Sequence, residues 1–380
     1  MTSHPVIAGT MRTWRACLAL GAVACHSGPV LVTSVPATSA PTTTVPAVER
    51  EGRLVSGWRI ATREHVDLWL HGFAMLQADS SLVPYFRLDY RDAFSVARRQ
   101  SGATSLFDAN RERLRQRTTD NPALTSAQFV GLYFASWEDL QQGVERFLRD
   151  NGNIDAARTT EMRRMYATLA TYFPSSADRD WLRIFVQSLE DERTRFFTTY
   201  WRQQQQARAP VQATIESQWN GGTGMAIGRF LTASNQRRGT IVLSTALGGE
   251  GRTLNVGRGD NIMAVTFPLS GEDPREAFFV AAHEAVGTVS NQVVRDNSSA
   301  ADERSGESAR WSSLAAVRGG ALMLERVAPE LADGYRRYYL RLARQPVNGD
   351  IVQRFASTFA IPDPIRVALE RQIALILGGI

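Results

Sequence analysis

The chain has 380 residues, 43% of them hydrophobic, and a formal net charge of +5, so it can form one large globular domain or two smaller ones. Every one of its 43 basic residues is arginine, and the lack of lysine excludes Walker A phosphate loops, pyridoxal Schiff bases and Ser-x-x-Lys acyl transferases. The arginines alternate with acidic residues along the chain, which favours a solvated surface, and we expect no nucleic-acid partner.

Residues 1–25 have the pattern of a bacterial signal peptide that ends at a lipidation site. Two arginines and a short apolar run precede the small-residue cleavage site Ala22-Val23-Ala24. Cys25 follows directly, at the position that is lipidated in a lipobox. The apolar run is too short to span a bilayer, which takes about 20 residues. We therefore expect an exported protein, translated from Met1 or Met11, that is a membrane-anchored lipoprotein or is periplasmic or extracellular.

Residues 26–50 form a predicted linker, because they are rich in Ser, Thr and Pro, a composition that cannot build a core. The two cysteines of the chain, Cys17 and Cys25, lie in the predicted signal peptide. Disulfides, cysteine zinc sites and thiol catalysis are therefore excluded from the folded part.

Residues 51–215 carry apolar residues at helical spacing, and short turns with Pro, Asn or Gly separate the segments. The stretch 181–201 has an aromatic stripe that we expect to pack in the core. The acidic run Glu190-Asp191-Glu192 is expected on a solvated helix face. The predicted helices are 60–77, 88–100, 105–117, 126–149, 155–172 and 178–206.

Residues 216–380 begin with glycines and short β-branched runs and then return to helical spacing. The fold class is therefore α+β and predominantly helical, with a small sheet before the helix at 273–294, and residues 51–215 and 216–380 form one continuous domain. Strands are predicted at 227–233, 239–247 and 261–268. Helices are predicted at 273–294, 301–327, 330–343 and 349–377.

The predicted helix 273–294 contains FFVAAHEAVGTVSNQVV, in which His283 and Glu284 follow an apolar run. A zinc peptidase uses two histidines one helical turn apart as ligands, a neighbouring glutamate as general base on the bound water, and a third ligand from further along the chain. His283 and Glu284 match the first two positions. Position 287 is Gly, which has no ligand atom, and the other histidines of the folded part, His65 and His71, lack ligand spacing with His283.

On these residues the chain resembles the zincin metallopeptidases, in particular the branch whose third zinc ligand is a glutamate. The resemblance implies a zincin-like domain in which His283 and Glu307 are zinc ligands and Glu284 is the general base. Glu307 lies 20 residues past position 287, near where that branch has its third ligand. The strand 261–268 takes the place of the family's edge strand, which pairs with an extended substrate.

The missing imidazole at Gly287 predicts a degenerate metal site, so we expect the protein to bind a peptide or protein partner rather than to cut it. The binding groove would lie beside strand 261–268 and be lined by Gly287, Ser290 and Asn291. One alternative is an active zinc metallopeptidase with a non-standard ligand set. The other is an unrelated helical envelope scaffold with a chance His-Glu pair, in which the histidine would be buried among apolar side chains, far from Glu307.

Overall fold

The computed structural model describes residues 57–77, 81–257 and 260–378. The predicted signal peptide, the lipidation site Cys25 and the linker of residues 26–50 lie outside the described residues. Of the helices in the described part, none combines the length and the apolar character that a membrane crossing needs. Helices make up 71% of the structure and strands 8%, which confirms an α+β fold that is predominantly helical.

The first half of the described chain is helical, as predicted, except that residues 58–61 form a strand and the first helix begins at Glu64 rather than at residue 60. Glu192, which was expected on a solvated face, is instead fully buried, because Arg98 and Ser105 donate hydrogen bonds to its carboxylate and so compensate its charge. The elements are β1 (Trp58–Ala61), α1 (Glu64–Leu76), α2 (Tyr90–Ser101), α3 (Leu106–Asp120), a 3-10 helix (Pro122–Tyr133), α4 (Trp137–Arg149), α5 (Thr160–Tyr172), α6 (Ser176–Glu192) and α7 (Thr198–Gln218).

In the described residues, a π-helical turn (Trp219–Thr223) follows α7, and the second half then has one further α-helix, three strands and six more α-helices. The elements are α8 (Gly224–Ala233), β2 (Arg238–Ser244), β3 (Arg252–Gly257), β4 (Asp260–Thr266), α9 (Glu276–Asp296), α10 (Ala300–Ser305), α11 (Glu307–Val327), α12 (Pro329–Leu342), α13 (Ile351–Thr358) and α14 (Asp363–Gly378). The predicted strand 227–233 is wrong, because these residues lie in α8. Its apolar residues Ile227, Phe230 and Leu231 follow helical spacing, and all are fully buried.

The sheet has four strands in the order β1-β2-β4-β3. Strands β1, β2 and β4 are parallel, whereas β3 runs antiparallel to β4. The predicted strand 261–268 corresponds to β4, but β4 lies between β2 and β3 and is therefore not an edge strand. The edge strand beside it is β3, whose mixture of Arg, Thr, Asn and Gly gives a weak strand signal in the sequence.

Side chains that alternate along the two central strands face two hydrophobic cores. Ile241 and Met263 point into the core that α8, α9 and the C-terminal helices form. Val242 and Ala264 point into the core that α1 to α6 form. Helices therefore cover both faces of the sheet. Because β1, β2 and β4 are parallel, their carboxyl ends lie along one border, where the loops that lead to α1, β3 and α9 begin.

Candidate functional site

Helix α9 carries the His-Glu pair in its first half. The helix begins at Glu276, three residues after the predicted start at position 273. Its apolar residues pack against the sheet and against α11, so most of the first half is buried. The side chains of His283 and Glu284 are only 6% and 10% exposed, which places both under the surface.

Glu284 accepts hydrogen bonds from two directions. Nδ1 of His283 lies 2.9 Å from its Oε1, and the backbone N–H of Gly251 donates to the same oxygen at 3.0 Å. Gly251 is required there, because a Cβ atom would lie 2.0 Å from the carbonyl oxygen of Ala264. The glutamate therefore fastens the loop before β3 to α9.

Besides Glu284 on α9, residues of α11 and α12 hold the loop before β3. The hydroxyls of Tyr338 and Tyr339 on α12 donate to the carbonyls of Gly248 and Gly249 at 3.2 and 3.0 Å. Ser313 on α11 donates to Glu250, which is 8% exposed. The two tyrosines thus hold the backbone of this loop, and Glu250 is a second buried carboxylate near His283.

The charges of this cluster compensate one another. Burial lowers the pKa of His283, but its hydrogen bond to Glu284 and the negative charges of Glu284 and Glu250 outweigh burial and raise the pKa overall. Burial alone would raise the pKa of Glu284, whereas the hydrogen bonds from His283 and Gly251 and the nearby charge of Arg252 lower it. A carboxylate with a lowered pKa is a weak base, so Glu284 is poorly suited to take a proton from water.

The residues around His283 do not fit a zinc site. Its Nε2 atom is buried and has no hydrogen-bond partner among the described residues, so this atom is free to bind a metal. However, no three His, Cys, Asp or Glu side chains in the described ranges come together in a way that could hold a metal ion. A protein zinc site normally takes at least three such ligands.

Glu307, the predicted third ligand, is the first residue of α11. Its side chain is 43% exposed and forms an ion pair of 3.2 Å with Arg310 on the next turn. A glutamate at this position also compensates the N-terminal dipole of the helix. The structure therefore brings His283 and Glu284 together but does not add Glu307 to them as a metal-binding group.

The three predicted groove residues have different surroundings. Ser290 is fully buried and donates to the carbonyl of Ala315, so it faces α11 and does not line a groove. Asn291 and Gly287 are half-buried. A Cβ atom at Gly287 would meet nothing within 4 Å, so open space lies beside this part of α9.

A cavity of 220 Å³ lies next to this part of α9, between the helix and β3. Its walls carry uncharged side chains. Two polar atoms of the lining, Gln236 Oε1 and Thr253 Oγ1, are buried without a hydrogen-bond partner in the part of the chain that the structure describes. The lining residues are Ser234, Asn235, Gln236, Thr253, Asn255, Asn261, Thr288 and Val289.

Sequence reasoning missed both Glu250 and the polar wall of the cavity. Two charged residues inside the glycine-rich run GGEGR were a usable signal for the first, because a charge in a tight loop often has a partner. Thr253 and Asn255, spaced by two residues, were a signal for a polar strand face. Gln236 gave no signal, since it reaches the cavity only through the tertiary fold.

Comparisons with known proteins add no relative. No protein-family model, no curated protein and no solved structure matches the chain. The resemblance to the glutamate branch of zincins therefore rests on His283-Glu284 and on the order of elements around them, and it stays a prediction.

Proposed function

We propose that this chain is an exported, lipid-anchored, zincin-like protein that binds an extended peptide segment of a partner along β3 and does not cut it. The observation that carries the proposal is the 220 Å³ cavity between the edge strand β3 and the motif helix α9. An edge strand supplies backbone groups for pairing, and a cavity beside it supplies selectivity for a side chain.

Strand β3 has one side available for pairing. It stands last in the strand order, with β4 on its inner side and no further strand beyond it in the described residues. Its second half is accessible, since Asn255 is exposed and Val256 is 38% exposed. An accessible edge of this kind can take up an extended peptide as an additional strand.

The cavity favours an uncharged side chain that donates hydrogen bonds. Every second side chain of a peptide paired with β3 points toward the face of the sheet that α9 covers. An unpaired buried acceptor costs about 1–3 kcal/mol, and Gln236 Oε1 is such an acceptor in the cavity wall. An Asn or Gln side chain would satisfy it, whereas a carboxylate or an alkyl chain would not.

Binding without cleavage is supported by the state of Glu284. Its carboxylate is occupied by His283 and Gly251, its pKa is lowered mainly by the hydrogen bond from His283 acting against burial, and neither Glu284 nor His283 lines the cavity. The burial of His283 and the absence of Glu307 from any metal-binding group of the described residues also fit the alternative of a helical scaffold protein. The cavity beside an accessible edge strand favours a binding function over that alternative.

We expect Thr288→Arg to abolish peptide binding, because Thr288 is an exposed wall residue and arginine would place bulk and charge in an uncharged cavity. Binding is measured by fluorescence polarisation with a library of labelled extended peptides that carry Gln, Leu or Glu at the central position. The matched control is Thr171→Arg, an exposed helical threonine on α5. Wild-type protein that binds no peptide, or a Thr288→Arg variant that binds as well as the control, would refute the proposal.

Two further measurements test the remaining parts of the proposal. Metal analysis of the purified protein separates binding from zinc catalysis, since stoichiometric zinc together with peptidase activity that Glu284→Gln abolishes would support the metallopeptidase instead.

Membrane fractionation of cells that express wild type or Cys25→Ser tests the anchor, and we expect only the wild type in the membrane fraction.

A further inference from the structure

Arg208 on α7 is a buried cation, and two of its side-chain nitrogen atoms have no hydrogen-bond partner among the described residues. The residue is 5% exposed, and its Nε and Nη1 atoms are enclosed with no acceptor among the described residues. The contact that holds the guanidinium is with the ring of Phe267, whose centroid lies 5.4 Å away. A guanidinium carries five N–H donors, three of them on Nε and Nη1, and leaving these three unpaired in a protein interior is costly.

A second side chain nearby has the same property. Gln205 precedes Arg208 by one helical turn, and both its Nε2 and its Oε1 are enclosed without a partner among the residues that the structure describes. One helix face therefore presents a cation, an amide donor and an amide acceptor that no described group satisfies.

The charged neighbours of Arg208 are already occupied. Asp67 accepts from Ser244 Oγ at 2.6 Å, from the Thr245 backbone N–H at 3.1 Å and from Trp201 Nε1 at 2.7 Å. Arg87 forms two hydrogen bonds, of 2.7 and 2.9 Å, with Glu272. Asp67 and Arg87 influence the pKa of Arg208 through their charges and not through a hydrogen bond. The same holds for the hydroxyls of Tyr90 and Tyr200.

The position of Arg208 in the fold is typical of ligand sites. Phe267 directly follows β4, Ser244 is the last residue of β2 and Thr245 follows it, so the cluster lies at the carboxyl ends of two neighbouring parallel strands. In open sheets with parallel strands, ligands bind at this border. The cluster shares no residue with the cavity beside β3.

We propose that Arg208 and Gln205 form a binding site for a small monocarboxylate. The planar guanidinium fork matches the two oxygens of a carboxylate, the Gln205 amide adds a donor, and the Phe267 ring can flank a short apolar chain. Burial raises the pKa of Asp67 to about 6, so this residue is negative at pH 7.5. A nearby negative charge disfavours a dianion such as phosphate more than a singly charged carboxylate.

The probe is acetate, added to the purified chain at pH 7.5 against chloride at matched ionic strength. A ligand that binds only the native state raises the melting temperature with concentration. We expect acetate to raise it in the wild type and in the control Arg202→Met, whose arginine is exposed on the same helix. We expect no acetate-specific rise in the melting temperature of Arg208→Met. For Gln205→Leu we expect that at least ten times more acetate is needed for the same rise as in the wild type.

The melting temperature of each variant in chloride shows whether the substitution itself changes the stability of the fold. Removing an unpaired buried charge should not cost stability, so Arg208→Met is expected to melt at or above the wild-type temperature. A large loss of stability in Arg208→Met would mean that ordered water or backbone satisfies the arginine, and it would overturn the proposal. Equal responses to acetate and chloride, equal responses of wild type and Arg208→Met, or a stronger response to phosphate than to acetate would also overturn it.

Discussion

His283 and His71 are both buried, but their neighbours shift their pKa values in opposite directions. For His283, the hydrogen bond to Glu284 outweighs burial and raises the pKa. For His71, burial among aromatic rings dominates and lowers the pKa to about 3. Its ring centroid lies 4.1 Å from that of Phe94, and Tyr90 Oη is its hydrogen-bond partner at 3.2 Å. The same residue type is therefore hydrogen-bonded to a carboxylate in one core and packed among aromatic rings in the other.

We expect His71→Leu to reduce the loss of stability in acid. A group whose folded pKa is depressed contributes stability that is present above its unfolded pKa and is lost as pH falls toward the folded value. Because His71 shifts from its ordinary 6.5 to about 3, the unfolded chain takes up its proton first. Between pH 7.5 and 5.0 this costs the wild type about 2 kcal/mol that the variant does not lose.

The measurement is urea unfolding of both proteins at the two pH values. Asp67 and Glu276 have raised pKa values, mainly through burial, and act in the opposite direction, so the difference between wild type and variant isolates the histidine. The control is Phe94→Leu, which removes a neighbouring ring without removing a titrating group and should cost the same at both pH values. Parallel pH profiles of wild type and His71→Leu would contradict the expectation.

The role of a single residue can be predicted from the sequence when that role depends on its spacing from neighbours in the same stretch. The His283-Glu284 pair, its helix and the missing ligand at Gly287 are all visible in one stretch of the chain. Glu250 and Gln236 lie in loops, and their partners Ser313 and Ala285 are 63 and 49 residues away in sequence, so only the fold brings them together. Arg208 is an exception of another kind, because an isolated arginine in a polar helix carries no sign of burial.

At the scale of elements, close approach of helices depends on glycine. Helix α11 continues through Gly319 and Gly320, and both glycines are buried. A Cβ atom at Gly320 would lie 2.2 Å from the hydroxyl oxygen of Tyr335 on α12. That hydroxyl donates to the carbonyl of Val317 at 2.9 Å, so the ring is fixed and cannot move aside without losing the bond. The glycine pair thus lets α12 pack directly on α11.

We expect Gly320→Ala to lower the free energy of unfolding by about 1–3 kcal/mol, since overpacking a well-packed core costs this much. The matched variant is Gly287→Ala on α9. There the added methyl group meets open space, and replacing a helical glycine with alanine should stabilise the protein by about 0.5–1 kcal/mol. Chemical denaturation of both variants gives the comparison. A stabilising Gly320→Ala would show that Tyr335 has room to shift.

Strands were harder to predict than helices for a physical reason. β2 and β4 are buried on both faces, so their continuous apolar runs stand out. β3 lies at the edge with polar residues on one face, and its sequence resembles a turn. The segment 227–233 shows the opposite error, because a short apolar run is compatible with either structure and tertiary packing selected the helix.

At the scale of the whole molecule, the sheet links two hydrophobic cores. Val242 faces the core of the helical first half, and its neighbour Leu243 faces the core around α9. The sequence order of helices, small sheet and helices predicted the α+β class, but nothing in one strand states which helices cover which face. That information lies in the pairing of β1, at the start of the described chain, with β2, about 180 residues later.

This arrangement predicts a single cooperative unfolding transition. Loss of the core around α1 to α6 would expose one face of β2 and β4 to water, and loss of the other core would expose the opposite face, so neither half retains a complete sheet. We test this with Phe185→Ala in the first core and Phe279→Ala in the second, both at most 1% exposed in the native protein. Each should cost about 3–5 kcal/mol and should lower the midpoint of the same transition in scanning calorimetry.

The calorimetric enthalpy should equal the van't Hoff enthalpy for wild type and for both variants, as required of two-state unfolding. Tryptophan fluorescence gives a second probe, because Trp69 and Trp181 lie in the first core and Trp219 lies in the second. Two resolved transitions, with Phe185→Ala moving one and Phe279→Ala moving the other, would mean that the cores fold independently. In that case the cavity beside β3 would depend only on the second core, and peptide binding would survive melting of the first.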